Sequence, residues 1–300
     1  MNLHLLRLFH TVAREGGFSR AAEQLHISQP AVSKGVRELE TQLGTPLFER
    51  GPGRPHLTEA GRRLAGHASG LFAIEREAEA DLAALRGLQR GKLAVGASTT
   101  IATYFLPAIL GEFHRRHPQV ELSLVNANTR DIVERLRAHD LDVALVEGPV
   151  EAPEMEIRPW LSDRLIPIAG ATHPLALASR TEHRTLDPSQ LMSEILILRE
   201  PGSGTRDVVQ SALTQAGLHP ARRLEIGGTE AVKQAVAAGL GIAFVSAAAV
   251  TDLIGLGRVV PLHVDGLVME RQLTRLFLRG RQPSPAATAF DRLLDAAAKR

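Results

Sequence analysis

Two observations predict an α/β protein headed by an all-α segment. Apolar residues recur at helical spacing over the first 43 residues. From Lys92 onward, short apolar runs alternate with helical stretches, which marks an α/β fold with mainly parallel sheets. At 300 residues the chain is long for one core, so two or three domains are expected. The predicted divisions are 1–58, a helical 59–88, and 92–300. With 44% hydrophobic and 23% charged residues, the composition is that of a folded globular protein.

Leu5, Leu6, Phe9, Val12 and Ala13 define a first helix that stops at Gly16-Gly17. Ser19 is a natural N-cap for a second helix, with Ala21, Ala22 and Leu25 inside. After a turn at His26-Ile27, Ser28-Gln29-Pro30 opens a third, where the missing N–H of Pro30 does no harm. Val32, Val36, Leu39 and Leu43 fall on one face of it, to pack on the first two helices. Gln29, Ser33, Lys34 and Arg37 fall on another, polar and basic, able to bond base edges and phosphates. Gln29 and Ser33 are also placed to cap the first turn. Gly35 costs about 1 kcal/mol relative to Ala in a helix, and its small size suits close approach to DNA or to a neighbouring helix.

Leu47-Phe48 and Leu57 flank a Gly/Pro tip, which reads as a β-hairpin wing bearing Arg50 and Arg54. Arginine at a narrow groove gains electrostatic energy without reading a base. The formal net charge is only +2, so any nucleic-acid site is a local patch. Lys34, Arg37, Arg50, Arg54, Arg62 and Arg63 supply one, interspersed with Glu38, Glu40, Glu49 and Glu59.

The run FSRAAEQLHISQPAVSKGVRELETQLGTPLFER, followed by R-x-x-LTEAG, resembles the DNA-binding segment of LysR-type regulators along its whole length. The resemblance implies a winged helix-turn-helix that places Gln29, Pro30, Ser33 and Lys34 in the major groove of promoter DNA, with Arg50 and Arg54 in the wing. Thr58 can cap a helix from Glu59 to about Arg86, ended by Gly87 and Gly91. On it Leu64, Ala68, Leu71, Ala78, Leu82 and Leu85 form a near-heptad stripe, interrupted by Glu75. The stripe packs either on the chain's own domains or on a second subunit. The resemblance implies the latter, a homodimer, and further a homotetramer.

In the remaining two-thirds, strands are expected at Lys92–Ala97, Val120–Val125, Val143–Val146, Leu165–Ala169, Ile195–Leu198, Leu224–Ile226, Ile242–Val245 and Leu273–Leu278. Helices are expected at Tyr104–His117, Arg130–Ala138, Thr205–Ala216 and Thr229–Ala238, and Ser284-Pro285 opens a last one. The resemblance implies two α/β lobes of the periplasmic-binding-protein type, 92–161 with 268–300, and 162–267. The chain then crosses between them near Leu161–Arg164 and near Val264–Val268.

Ligands in such folds sit where strands end and helices begin. Ser98, Thr99 and Thr100 follow one strand. Gly202, Ser203, Gly204 and Thr205 open a helix after another, with Thr229 at a third. Hydroxyls beside unpaired N–H groups at a helix N-terminus suit an anion, and the glycines let backbone donors come close. The alternative is that these hydroxyls are simple N-caps. Arg199 and Arg206 are either ligands or solvated surface charges. GASTTIATYFLP, LDVALVEGP, EIRPWLSDRL, REPGSGTR and GGTEAVKQAVAAGLGIAFVS resemble the sulphur-assimilation and sulphite-response regulators of the family. Its carbon-fixation regulators share the REPGSGTR type of segment and take phosphorylated metabolites. Both branches imply a small oxyanion effector. Glu147 departs from a cationic pocket: it is either part of the site, paired with an arginine, or a structural acid near the hinge.

Cys 0 excludes disulfides, thiolate nucleophiles and Cys-based zinc sites. Gly202-Ser203-Gly204-Thr205 lacks the P-loop lysine, no G-x-S-x-G elbow occurs, and no cofactor motif is evident. His114 and His117 sit beside Arg115 and Arg116, which repel a metal. An enzyme and a non-transcriptional binding protein are therefore the weaker readings. No signal peptide or bilayer-length apolar run is seen, so a cytoplasmic protein is expected.

Overall fold

The computed structural model describes residues 1–49, 54–84, 91–182 and 185–299. The chain divides into two compact units, Met1–Leu82 and Ala83–Arg300. In the first, α1 (Leu3–Glu15), α2 (Phe18–Leu25) and α3 (Gln29–Leu43) enclose a core of Leu6, Phe9, Val12, Ala21, Val32, Val36 and Leu39. Two local expectations shift. The N-cap of α2 is Gly17, not Ser19, because the helix starts one residue earlier, at Phe18. Leu43, in the last turn before the left-handed Gly44, stays 38% exposed. Gly35 is explained by a neighbouring helix: a Cβ there would lie 2.3 Å from Leu8 Cδ1 of α1.

The stem of the hairpin is an antiparallel bridge between Phe48 and Leu57, with Glu49 N–H donating to His56 O at 2.8 Å. Thr58 caps α4 (Glu59–Ala84) by accepting from Gly61 N–H at 3.0 Å. Leu64, Ala68 and Phe72 of α4 join the helical core, whereas Leu71, Ile74 and Leu82 stay exposed. Leu85 and Gly87 lie outside the described residues.

The second unit runs β1 (Gly91–Ser98), a π-turn (Ile101–Phe105), α5 (Leu106–Arg116), β2 (Val120–Ala127), α6 (Thr129–Arg137) and β3 (Val143–Glu147). It continues through β4 (Met155–Gly170), α7 (Pro174–Glu182), α8 (Pro188–Met192), β5 (Ile195–Leu198), α9 (Gly204–Gln215) and β6 (Arg222–Glu225). The last elements are α10 (Thr229–Ala237), β7 (Ile242–Ser246), α11 (Ala247–Gly255), β8 (Val259–Pro261), β9 (Met269–Leu278) and α12 (Pro285–Ala298). Elements α7, α8, α11 and β8 were not expected from the sequence.

The strand order is β2-β1-β3-β9-β4-β7-β5-β6, with β8 paired to β4. The sheet is mixed rather than mainly parallel. Its outer pairs, β1–β2, β1–β3, β5–β6 and β5–β7, are parallel. Strands β4 and β9 are antiparallel to each other and to their other neighbours. The 16-residue β4 extends well before the expected Leu165. It pairs with β9 from Met155↔Leu278 to Leu165↔Met269, so one antiparallel ribbon carries the chain both ways between the two halves of the sheet. The return passage therefore lies in β9, beyond the expected Val264–Val268.

On one half of the sheet Leu93, Val95, Leu106, Phe113, Leu145, Trp160 and Phe290 form a core. On the other, Leu165, Leu191, Leu196, Val209, Ile242 and Phe244 form a second. Ser284 caps α12 at Ala287 N–H, 3.1 Å, as its sequence predicts. No helix among the described residues is long and apolar enough to cross a membrane.

Candidate functional site

Two sets of residues come together, one in each unit. In the first, the cap of α3 is Ser28, whose hydroxyl accepts from Ala31 N–H at 3.4 Å. Gln29 and Ser33 therefore do not cap; Gln29 Nε2 donates to Ser33 Oγ at 2.8 Å. Gln29, Pro30, Lys34 and Arg37 are exposed and Ser33 is half-buried, while Val32 and Val36 turn inward. Arg54 is exposed beside the hairpin stem. Arg50 lies outside the described residues.

In the second unit the expected hydroxyls gather at the C-terminal ends of β1, β3 and β5. Ser98, Thr100, Ser203, Thr205 and Thr229 are all buried. None is spent on capping: the π-turn, α9 and α10 have no side-chain cap bond. Ser98 Oγ donates to Glu147 Oε2, and Thr100 and Thr205 donate to Glu147 Oε1 at 3.3 and 3.2 Å. Arg271 Nη1 stands 3.5 Å from the same carboxylate and donates to Thr205 Oγ1 at 2.7 Å. Glu147 is thus held by hydroxyls and an arginine.

The sequence reading missed that arginine and its other partner, Asp163, which accepts from Arg271 Nε at 2.8 Å and from Ser246 Oγ at 2.8 Å. Asp163 and Arg271 lie opposite one another on β4 and β9. The available signal was a pair of charges inside two otherwise strand-like runs.

Beside this network Arg199, 5% exposed, donates through Nη1 to Thr229 Oγ1 at 2.7 Å. Its Nη2 reaches Thr99 Oγ1 at 3.5 Å. Its fork also engages Glu200 at 2.7 and 2.8 Å. Burial opposes ionisation of Glu200, but bonds from Arg199, from its own backbone and from Gly228 N–H outweigh it and hold the carboxyl below its usual range. Arg206 faces outward, bonding Glu225 at 2.6 Å and Arg199 O at 3.0 Å. Ser203 Oγ, in a residue 1% exposed, has no hydrogen-bond partner among the described residues.

The glycines of this loop allow close contact with neighbouring backbone. A Cβ on Gly204 would lie 1.8 Å from Glu147 O. Gly202, at φ +91°, gives its carbonyl to Arg130 N–H at 3.1 Å. Both let the loop before α9 meet the backbone of β3 and α6, where Thr129 Oγ1 also donates to Glu147 O at 3.0 Å. His114 is exposed and His117 packs on Phe113, and no group that could hold a metal is found among the described residues.

Comparison with known proteins agrees with this division. Residues 3–62 match the bacterial regulatory helix-turn-helix protein family, lysR type, and residues 86–299 match the LysR substrate binding domain. A RuBisCO operon transcriptional regulator of Allochromatium vinosum is 36% identical, over 97% of this chain and 94% of its own length. A full-length OxyR variant of Pseudomonas aeruginosa superposes with a TM-score of 0.75 at 26% identity, covering 100% of this chain and 95% of that one. The regulatory domain of CcmR from Synechocystis PCC6803, solved in complex with 2-PG, gives 0.64 at 32% identity over 70% of this chain and 99% of its own. The chain belongs to the LysR family of bacterial helix-turn-helix transcription regulators and, with it, to DNA-binding proteins that carry an effector domain rather than to enzymes.

Proposed function

We propose that this regulator acts in the cytoplasm as a homodimer or homotetramer on promoter DNA and that its effector is a small oxyanion, a sulphur oxyanion or a phosphorylated acid. In this reading Gln29, Pro30, Ser33, Lys34 and Arg37 meet the major groove, and Arg54 with Arg50 serves the wing. Thr99, Ser203 and Thr229, with Arg199, contact the anion. Ser98, Thr100 and Thr205 act through Glu147, and Gly202 sets the approach of the loop before α9.

The observation that carries the effector reading is the unpartnered, buried Ser203 hydroxyl at the N-terminus of α9. An unmet hydroxyl inside a protein costs about 1–3 kcal/mol, which a ligand oxygen would relieve. The free N–H groups of α9 and α10 add a favourable field for negative charge. Ligand bound to one arrangement of the second unit would favour that arrangement and, through it, the bend of the bound DNA.

A thermal-shift screen of the purified protein tests this. Its ligands are sulphite, sulphate, thiosulphate, phosphate, small phosphorylated acids and 2-PG, the ligand of the CcmR domain. One anion at 100 times its Kd should stabilise the protein by about 2.7 kcal/mol, and Ser203→Ala should lose that shift. A flat response to every anion would sink the oxyanion reading and leave the family assignment intact.

A further inference from the structure

We infer that Glu200 is a built-in competitor of the effector: its carboxylate occupies the edge of Arg199 that an oxyanion would take, and it has to swing aside before an anion can bind there. This rests on the oxyanion reading above and adds an autoinhibitory contact to the same site. The planar fork of an arginine matches the paired oxygens of a carboxylate or a phosphate. On Arg199 that edge is Nε with Nη2, and Glu200 fills it: Oε2 accepts from Nε at 2.7 Å and Oε1 from Nη2 at 2.8 Å. Glu200 Oε2 also accepts from the N–H of Gly228, the N-cap of α10, at 3.2 Å. One carboxylate of the chain thus takes both kinds of donor that suit an anionic ligand, an arginine edge and a helix N-terminus.

The two partners differ in their freedom. The Arg199 side chain is 5% exposed and is fixed from α10, where Nη1 donates to Thr229 Oγ1 at 2.7 Å. The Glu200 side chain is 25% exposed, so it reaches water by rotating about its own bonds. That rotation frees the Arg199 edge and the Gly228 N–H together. An oxyanion arriving there restores both charge-assisted contacts, while the displaced carboxylate is hydrated. The backbone carbonyl of Glu200 accepts from Ser203 N–H at 3.2 Å, so the turn that carries the unpartnered Ser203 hydroxyl stays joined to the residue that moves. A competitor of this kind raises the concentration at which the site fills, by the inverse of the fraction of time the edge is open. The competing role is a permanent brace that orients Arg199, and its removal would weaken anion binding.

Calorimetric titration of the full-length protein with two probes, inorganic phosphate and 2-PG, separates the roles. If Glu200 holds the edge for about nine-tenths of the time, Glu200→Gln should tighten the binding of the probes by about 10-fold. Glu200→Asp keeps the negative charge but is one methylene shorter, so it cannot span Arg199 and the Gly228 N–H as the longer side chain does. It should tighten binding by about 3-fold or more. Simple charge repulsion predicts a gain for Glu200→Gln and none for Glu200→Asp, and a brace predicts weaker binding in both variants. Either of those patterns would overturn the competitor and leave the oxyanion reading standing. The same contrast can be read from either variant against the wild type if the other fails to fold: a loss of affinity in Glu200→Gln, or no gain in Glu200→Asp, is enough to reject it. If neither probe binds the wild type or the variants, the oxyanion reading falls and the competitor falls with it.

Discussion

Glu147 shows what a single side chain does here. Three hydroxyls and Arg271 converge on it inside the protein, so its removal leaves several polar groups without a partner. Glu147→Ala should destabilise the second unit by about 3–5 kcal/mol, and Glu147→Gln, which keeps an acceptor, by clearly less. Trp160 is the one tryptophan of the chain and is buried in that unit, so its fluorescence during urea unfolding reads the change. A loss below about 1 kcal/mol for Glu147→Ala would mean that the hydroxyls find other acceptors.

His10 offers a second test at this scale. Burial, and then the nearby Arg14, Arg76 and Arg7, lower its pKa to about 4, and its Nε2 lies 3.0 Å from Ser69 Oγ. The unfolded chain takes up the proton near 6.5 and the folded one only near 4. The stability of the first unit is therefore intact above pH 6.5 and falls as pH drops toward 4, by roughly 3 kcal/mol. Hydrogen exchange of the α1 amides should show this fall, and His10→Phe should flatten it. An unchanged slope in that variant would assign the effect to other groups.

At the scale of elements, α3 was legible because its signals are local: Ser28 caps it, Pro30 opens it and left-handed Gly44 ends it. The ribbon of β4 and β9 was only half legible. Asp163 and Arg271 interrupt the apolar pattern of each strand, and they make sense only as partners across a pairing more than a hundred residues apart. The site followed the same rule. The hydroxyls at strand ends could be read from adjacent residues, but Arg271 and the glycine contacts depend on distant backbone.

Gly35 tests the packing of an element. Alanine should gain about 1 kcal/mol of helix propensity, but its Cβ would meet buried Leu8 at 2.3 Å. Overpacking costs about 1–3 kcal/mol, so Gly35→Ala should be net destabilising and should weaken operator binding. Adding Leu8→Ala should make the pair less harmful than the sum of its parts. Strict additivity in that double-mutant cycle would rule out the contact as the cause.

For the whole molecule, the question is what covers α4. Its early residues Leu64, Ala68 and Phe72 are spent on the first unit's core, and Glu75, which interrupts the stripe, turns to Arg7 at 2.5 Å. Leu71, Ile74 and Leu82 remain exposed, at 36%, 67% and 66%, and recur at the spacing of a helix pair. An isologous dimer through this stripe would present two copies of α3 to a two-fold operator. Ile74→Glu with Leu82→Glu should therefore convert the protein to monomers in the ultracentrifuge. It should also weaken operator binding by about 100-fold or more, because the second half-site no longer counts as intramolecular. Arg54→Ala should behave differently: the dimer stays intact, and affinity falls alike on operator and random DNA, with a shallower dependence on salt. Monomers that kept full operator affinity would separate the exposed stripe from DNA recognition and leave each α3 acting alone.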